Sequence, residues 1–152
     1  MYTVAALYHF TRFDDPAALQ GPLLDLCKSH GVSGTLLLAK EGINGTVSGT
    51  IEGCQAYKAA MESDPLTAGI EFKIDPLEGH VFPKLSVKSR DEIVTLGLGD
   101  DDFSPNDCTG THLEPAEWRD AIKDPNAVII DARNDYEWDL GRFKNSIRPP
   151  VP

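Results

Sequence analysis

No run of apolar residues in this 152-residue sequence approaches the length of about 20 that a membrane-spanning helix needs. Nor does a basic segment precede an apolar stretch at the start, which reads Met1-Tyr2-Thr3-Val4, so a secretory leader is not expected. Cysteine is scarce: Cys27, Cys54 and Cys108 are odd in number and far apart, which argues against a disulfide framework and fits a reducing compartment. There is no Cys-x-x-Cys pair, and His9, His30, His80 and His112 are scattered, so metal-ligand spacing is missing. No metal and no bound cofactor is expected in this portion. The absences together predict a soluble, cytoplasmic protein with no membrane partner. Hydrophobic and charged contents of 41% and 25% are those of a folded globular chain.

Positive charge is also in short supply, with a net charge of −10. Its distribution matters more than its sum. Residues 1–90 hold 8 Lys and Arg against 10 Asp and Glu, whereas residues 91–152 hold 6 against 14. The acidic excess therefore belongs to the second part, and a local basic patch on the first remains compatible with a nucleic-acid partner.

What is present is a pattern of alternating elements. Thr3 to Phe10 reads as a buried strand. Asp14-Asp15-Pro16 signals a helix start, and Leu19, Leu23, Leu26 and Cys27 form one apolar stripe. Gly21-Pro22 predicts a kink or a late restart in that helix, and Gly31 a stop. Thr35 to Ala39 is a second strand. Asn44-Gly45, between two strand-like runs, predicts the turn of a hairpin leading into a short strand through Val47 and Ser48. Thr50 can cap a second helix bearing Ile51, Cys54, Tyr57 and Met61 on one side, ended by Asp64-Pro65. Ile70 to Ile74 alternates as a half-exposed strand. On this spacing Cys27 and Cys54 are small buried hydrophobes. The order β-α-β-β-α-β predicts an α/β (α+β) chain whose first part is ferredoxin-like, a fold that licenses no function by itself.

Leu85 to Lys88 and Glu92 to Thr95 read as short extended segments that trail this domain. The Gly-, Asp- and Pro-rich stretch that follows, with Asp100-Asp101-Asp102, reads as a solvated linker. The expected organisation is a ferredoxin-like, acylphosphatase-like domain over 1–96, a linker over 97–112 and a second module over 113–152. In the second module Glu114-Pro115 opens a helix with Trp118, Ala121 and Ile122 inward. Ala127-Val128-Ile129-Ile130 predicts a strand of a buried parallel sheet. Asp131-Ala132-Arg133 leaves it for a turn or helix with Tyr136 and Trp138. One helix and one strand cannot cover such a sheet, so this module is predicted to be incomplete, ending in Pro149-Pro150-Val151-Pro152.

The run from Ala127 through Asp131 and Arg133 to Tyr136-Glu137 and Gly141-Arg142-Phe143 resembles the start of a rhodanese domain, with Gly-Arg-Phe where many rhodaneses have Gly-His-Ile. Two earlier segments narrow the match: Lys40-Glu41-Gly42-Ile43-Asn44-Gly45-Thr46 and Phe82-Pro83-Lys84-Leu85-Ser86-Val87-Lys88-Ser89-Arg90-Asp91-Glu92-Ile93-Val94. In this order they resemble the bacterial tRNA uridine hydroxylase family, long described as rhodanese-related sulfurtransferases. The resemblance implies an oxidoreductase of the monooxygenase kind that converts the wobble uridine of tRNA to 5-hydroxyuridine, with molecular oxygen as co-substrate. It also implies a catalytic cysteine in a loop after the second parallel strand of the rhodanese-like module, beyond Pro152. Cys108 precedes that module, so no catalytic residue is assigned within this sequence and the fragment alone is expected to be inactive. A sulfurtransferase working through a cysteine persulfide is the rival reading, and a non-catalytic protein- or RNA-binding module a third.

For an RNA partner the candidate contacts are Lys40, Glu41 and Asn44, in what reads as an exposed hairpin loop, and Lys84, Lys88 and Arg90. The last three fall two and four residues apart and so share one strand face with Ser86, as a phosphate-binding stripe would. Tyr8, Phe10 and Phe13 could stack bases but read as core residues. Asp131 and Arg133, at the end of the expected parallel strand, read as an ion pair bracing an active-site loop.

Overall fold

The computed structural model describes residues 1–93, 104 and 106–149. They fall into two units, Met1–Thr109 and Gly110–Pro152.

The first unit contains β1 (Tyr2–Phe10), α1 (Gln20–Ser29), β2 (Ser33–Ala39), β3 (Gly42–Thr50), α2 (Ile51–Ser63), β4 (Glu71–Leu77) and β5 (Leu85–Ser89). The predicted ferredoxin-like order holds through β4, and β5 extends the sheet to five strands in the order β4-β1-β3-β2-β5. The first four strands are antiparallel to their neighbours, while β5 runs parallel to β2.

The sequence around Gly21-Pro22 explains where α1 begins. Asp15 accepts a hydrogen bond from the Ala18 amide at 3.0 Å and holds a turn, and the helix starts only at Gln20. Pro22 thereby falls in the first helical turn, where its missing N–H costs no intrahelical bond. At the other end Gly31 adopts φ +64°, and the Val32 amide returns to the Cys27 carbonyl at 3.0 Å, closing the helix. In α2 the Thr50 hydroxyl accepts from the Gly53 amide at 3.1 Å, and Cys54, Tyr57 and Met61 are buried on one side.

Both helices cover the same sheet face. The side chains sealed beneath them include Leu36, Leu38, Ile43 and Val47, all without solvent contact, and Cys27 and Cys54 join them as read from their spacing. Phe13 is also core, as expected, but Tyr8 is not: 41% of it is exposed on the face that no helix covers. Strand alternation explains the correction, since Thr3, Ala5 and Leu7 take the inward positions of β1 and Tyr8 takes an outward one.

A second correction concerns Asn44-Gly45, which is not the hairpin turn. Ala39 pairs with Gly42, so the turn is Lys40-Glu41, and Asn44 and Gly45 lie within the central strand β3. Glycine serves there for closeness rather than for positive φ: a Cβ on Gly45 would meet the Thr35 carbonyl oxygen at 2.3 Å. Of the trailing segments, Leu85 to Lys88 falls in β5, whereas Val94, Thr95 and Asp100-Asp101-Asp102 lie outside the described residues.

In the second unit α3 (Pro115–Ala121) and α4 (Asp135–Leu140) both open on reciprocal capping boxes, Glu114 with Glu117 and Asn134 with Glu137. Trp118 packs edge-on against Phe143 at 5.6 Å. Ala127–Ile130 does not form the predicted strand: Ile130 makes a single parallel bridge to Ile147. Val128 and Ile130 stand 71% and 65% exposed, and among the described residues of this unit only Asp131 is buried. A strand needs a ladder on at least one side, and a single bridge does not supply one. The residues Pro150-Val151-Pro152 lie outside the described set.

Two measurements test this account. Gly45→Ala drives a methyl into backbone and should lower stability by about 1–3 kcal/mol or more in a urea titration. Tyr57 packs edge-on to Phe72 with its hydroxyl buried beside the Cys27 thiol, and burial raises its pKa. A thiol is a weak partner, so Tyr57→Phe removes a poorly satisfied polar group and is expected to be neutral or to stabilise by up to about 1 kcal/mol in a thermal melt.

Candidate functional site

The segment 40–46 that reads as one loop is divided by the fold. Lys40 and Glu41 form the β2–β3 turn, and their carbonyls accept from the amides of Phe13 and Thr11 at 3.0 Å each. The Glu41 carboxylate takes the Ile93 amide at 2.7 Å, and its carbonyl also takes the Asn106 side-chain amide at 3.1 Å. Glu41 is thus a latch that ties three chain segments to the sheet end. Lys40 is exposed and lines a cleft with Arg12, Phe13, Asp14, Asp91 and Ser104. Arg12 is engaged by Asp107, which lowers the positive potential of that cleft.

Asn44 sits instead in the middle of the uncovered sheet face. Register places it between Tyr8 of β1 and Leu37 of β2, and Leu37 in turn pairs with Lys88 of β5. The candidate contacts Asn44 and Lys88, 44 residues apart in sequence, therefore share one row across the sheet. Leu85 and Val87 pack inward toward the core, which leaves Lys84, Ser86, Lys88 and Arg90 on the opposite side, with the three cations exposed. The Arg90 amide also holds the Leu38 carbonyl at 2.7 Å, anchoring the end of β5. At the far end of the same face Ser48 is sealed: its hydroxyl meets His80 Nδ1 at 2.9 Å, and the His80 ring lies 5.6 Å from that of Tyr2. Among the described residues the face is closed at the Ser48 end, while Tyr8 stands exposed toward the other.

Burial pushes the Cys27 thiol up to about 11 and raises that of Cys54, so neither is a thiolate at neutral pH. Cys108 is exposed and belongs to the first unit. No group of three or more His, Cys, Asp or Glu side chains is arranged to hold a metal among the described residues.

Asp131 and Arg133 do come together. Arg133 Nε donates to Asp131 Oδ1 at 2.9 Å and Nη2 to Oδ2 at 2.7 Å, a bidentate fork. Nη2 also donates to the Gly141 carbonyl at 2.8 Å, so one guanidinium ties the residue after Ile130 to the C-terminal end of α4. Hydrogen bonds from Arg133 hold the Asp131 carboxyl below its usual range.

Residues 2–93 match the model of the UPF0176 acylphosphatase like domain. The chain belongs to that family. Curated relatives extend the likeness through the second unit. A tRNA uridine(34) hydroxylase of Shouchella clausii is 50% identical over 150 residues, 99% of this chain and 47% of that protein. One from Bacillus licheniformis is 47% identical over 99% of this chain and 46% of its own length, and one from Bacillus cereus 48% over 99% and 47%. The chain spans about half the length of these relatives. The resemblance drawn from the ordered motifs is thereby borne out. Among solved structures, a BLUF protein, BlrB, in its dark state aligns at 22% identity with a TM-score of 0.49, over 58% of this chain and 73% of that one.

The Asp131–Arg133 clamp has a testable pH signature. Because the folded carboxyl is the stronger acid, its contribution is fully present above the ordinary aspartate value and is lost as pH falls through the lowered one. The protection factors of the amides of residues 131–141, measured against intrinsic exchange at each pH, should therefore stay constant from pH 7 to about 5 and fall only in stronger acid. Asp131→Asn should show the lowered protection already at pH 7.

Proposed function

We propose that this chain is the tRNA-holding portion of a tRNA uridine hydroxylase, an oxidoreductase that converts uridine 34 to 5-hydroxyuridine with molecular oxygen as co-substrate. The carrying observation is 50% identity over nearly the whole chain to a protein of that name. In this reading residues 1–96 form the ferredoxin-like domain, 97–112 a linker and 113–152 the opening of a rhodanese-like catalytic module. The site of action is the cytoplasm, where tRNA is found.

The chemistry of the side chains supports a holding role for the first unit. Its cysteines are buried or lie outside the second module, and its exposed Lys40, Lys84, Lys88 and Arg90 suit phosphate contacts. A uridine hydroxylase of rhodanese ancestry needs a reactive thiolate cradled by amide donors. We place that thiol in the part of the relatives' length that this chain does not span. Asp131 and Arg133 then act as positioning residues, bracing the loop that leaves Ile130. Lys40 contributes charge at the turn, while Glu41 contributes structure through its hold on the Ile93 amide rather than a contact to RNA.

Nucleoside mass spectrometry of tRNA tests this reading when the 152-residue chain and a full-length relative are assayed side by side. 5-Hydroxyuridine is expected from the full-length protein and none from the 152-residue chain. Product from the shorter chain would overturn the placement of the nucleophile. Cyanide-dependent thiocyanate release without hydroxyuridine would favour sulfur transfer instead.

A further inference from the structure

Both helices of the first unit lie on one side of the sheet, and among the described residues of that unit no helix covers the other side. Strand register arranges its outward residues in rows. One row reads Glu71, Tyr8, Asn44, Leu37, Lys88 from β4 to β5. The adjacent row reads Lys73, Ala6, Thr46, Thr35, Ser86. The second row contains nothing larger than threonine between its ends, so the surface beside Tyr8 is shallow and rich in hydroxyls. Tyr8 stands 41% exposed over it, and Phe10, two residues along the same strand, meets its ring edge-on at 4.7 Å. That contact fixes the orientation of the phenol before anything binds. Adjacent strands are about 4.8 Å apart, so Lys88 lies about 14 Å from Tyr8 across the sheet.

We propose that this open face is a stacking platform for unpaired RNA, with a base lying on Tyr8, the Asn44 amide available to a base edge, and Lys88 meeting the backbone on the β5 side. The proposal rests on the tRNA reading above and narrows it to single-stranded nucleotides and to one face of the domain. A protein partner fits less well: interface cores need several apolar anchors packed together, and here the Tyr8–Phe10 pair and Leu37, which Asn44 separates from Tyr8, border a row of alanine, threonine and serine. A sheet carrying an aromatic ring that every base can stack on, flanked by cations, suits single-stranded nucleic acid. The edge at β5, where Lys84, Lys88 and Arg90 are exposed, is complementary to a phosphodiester chain. Glu71, beside Tyr8 in the first row, and Asp75, one row beyond Lys73, set the acidic margin along β4, so the strand is expected to follow β1, β3, β2 and β5 toward Lys88. Closure of the Ser48 end by His80 and Tyr2 limits the platform to the part of the sheet around Tyr8.

Fluorescence anisotropy of the 152-residue chain with a labelled single-stranded oligouridine and with tRNA tests the platform. Tyr8→Ala should weaken binding about 5- to 100-fold, whereas Tyr8→Phe keeps the ring and should stay within about twofold of the parent. Lys88→Ala should weaken binding and lower the salt slope by about one. Lys58→Ala, on α2 and remote from the platform, should change nothing. A duplex of equal length should compete at least about tenfold more weakly than the single strand, because its bases are already stacked. RNA binding by the parent that is indifferent to Tyr8→Ala, or equal competition by duplex, overturns the platform while leaving the tRNA reading standing. No binding of either RNA by the parent overturns both the platform and the holding role of this unit. Circular dichroism of Tyr8→Ala checks that lost binding is not lost folding, and because the site is at the surface the spectrum should be unchanged.

Discussion

The structure of the first unit depends on β3 being enclosed on both edges and on one face. Ile43 and Val47 are sealed beneath the helices, and the strand is paired with β1 along its whole length and with β2 from Gly42 to Ser48. Enclosure on this scale demands that no side chain intervene where β2 and β3 press together, which is why Gly45 occupies a mid-strand position where glycine is otherwise unfavourable. Once β3 is held in this way, α1 and α2 have only one face on which to bury their stripes. The opposite face is left to residues that tolerate water or a ligand.

This one-sidedness shapes the candidate site. The latch at Lys40-Glu41 fixes the sheet end by gathering the amides of Thr11, Phe13 and Ile93, so the open face is backed by a stiff support. Rigid backing favours recognition, since fewer groups must be ordered on binding. The second unit is built differently. Its capped helices and its Asp131–Arg133 fork are locally well specified, yet its apolar side chains at Val128, Ile130 and Leu140 remain in solvent. Local capping and ion pairs such as Asp131–Arg133 and Asp120–Lys123 can shape short elements without an apolar core to bind them together.

Much of this was legible beforehand. The stripe Leu19, Leu23, Leu26 and Cys27, the Thr50 cap and the run Cys54, Tyr57, Met61 each depend on residues close in sequence, and each appears as read. The pairing of Asp131 with Arg133 belongs to the same class, because two residues separated by one are held near each other by the chain itself. The alternation that puts Lys84, Lys88 and Arg90 together is likewise local. Asn44-Gly45 misled because that dipeptide suits two conformations, a turn with positive φ or an extended strand needing close approach. Only the neighbouring β2 backbone selects between them.

The amino-acid order by itself therefore determined the helices, their caps, the succession of strands in the first unit and the family to which the chain belongs, since these rest on periodicity and on short ordered motifs. The tertiary structure decided which face of β1 meets the helices, and so exposed Tyr8 rather than burying it. It also decided that Asn44 and Lys88 share a row with Tyr8, and that Glu41 is a latch. These facts depend on register between strands and on which partner occupies each edge. Such choices are settled by packing across the whole domain, where a shift of a single residue would exchange every inward side chain for an outward one.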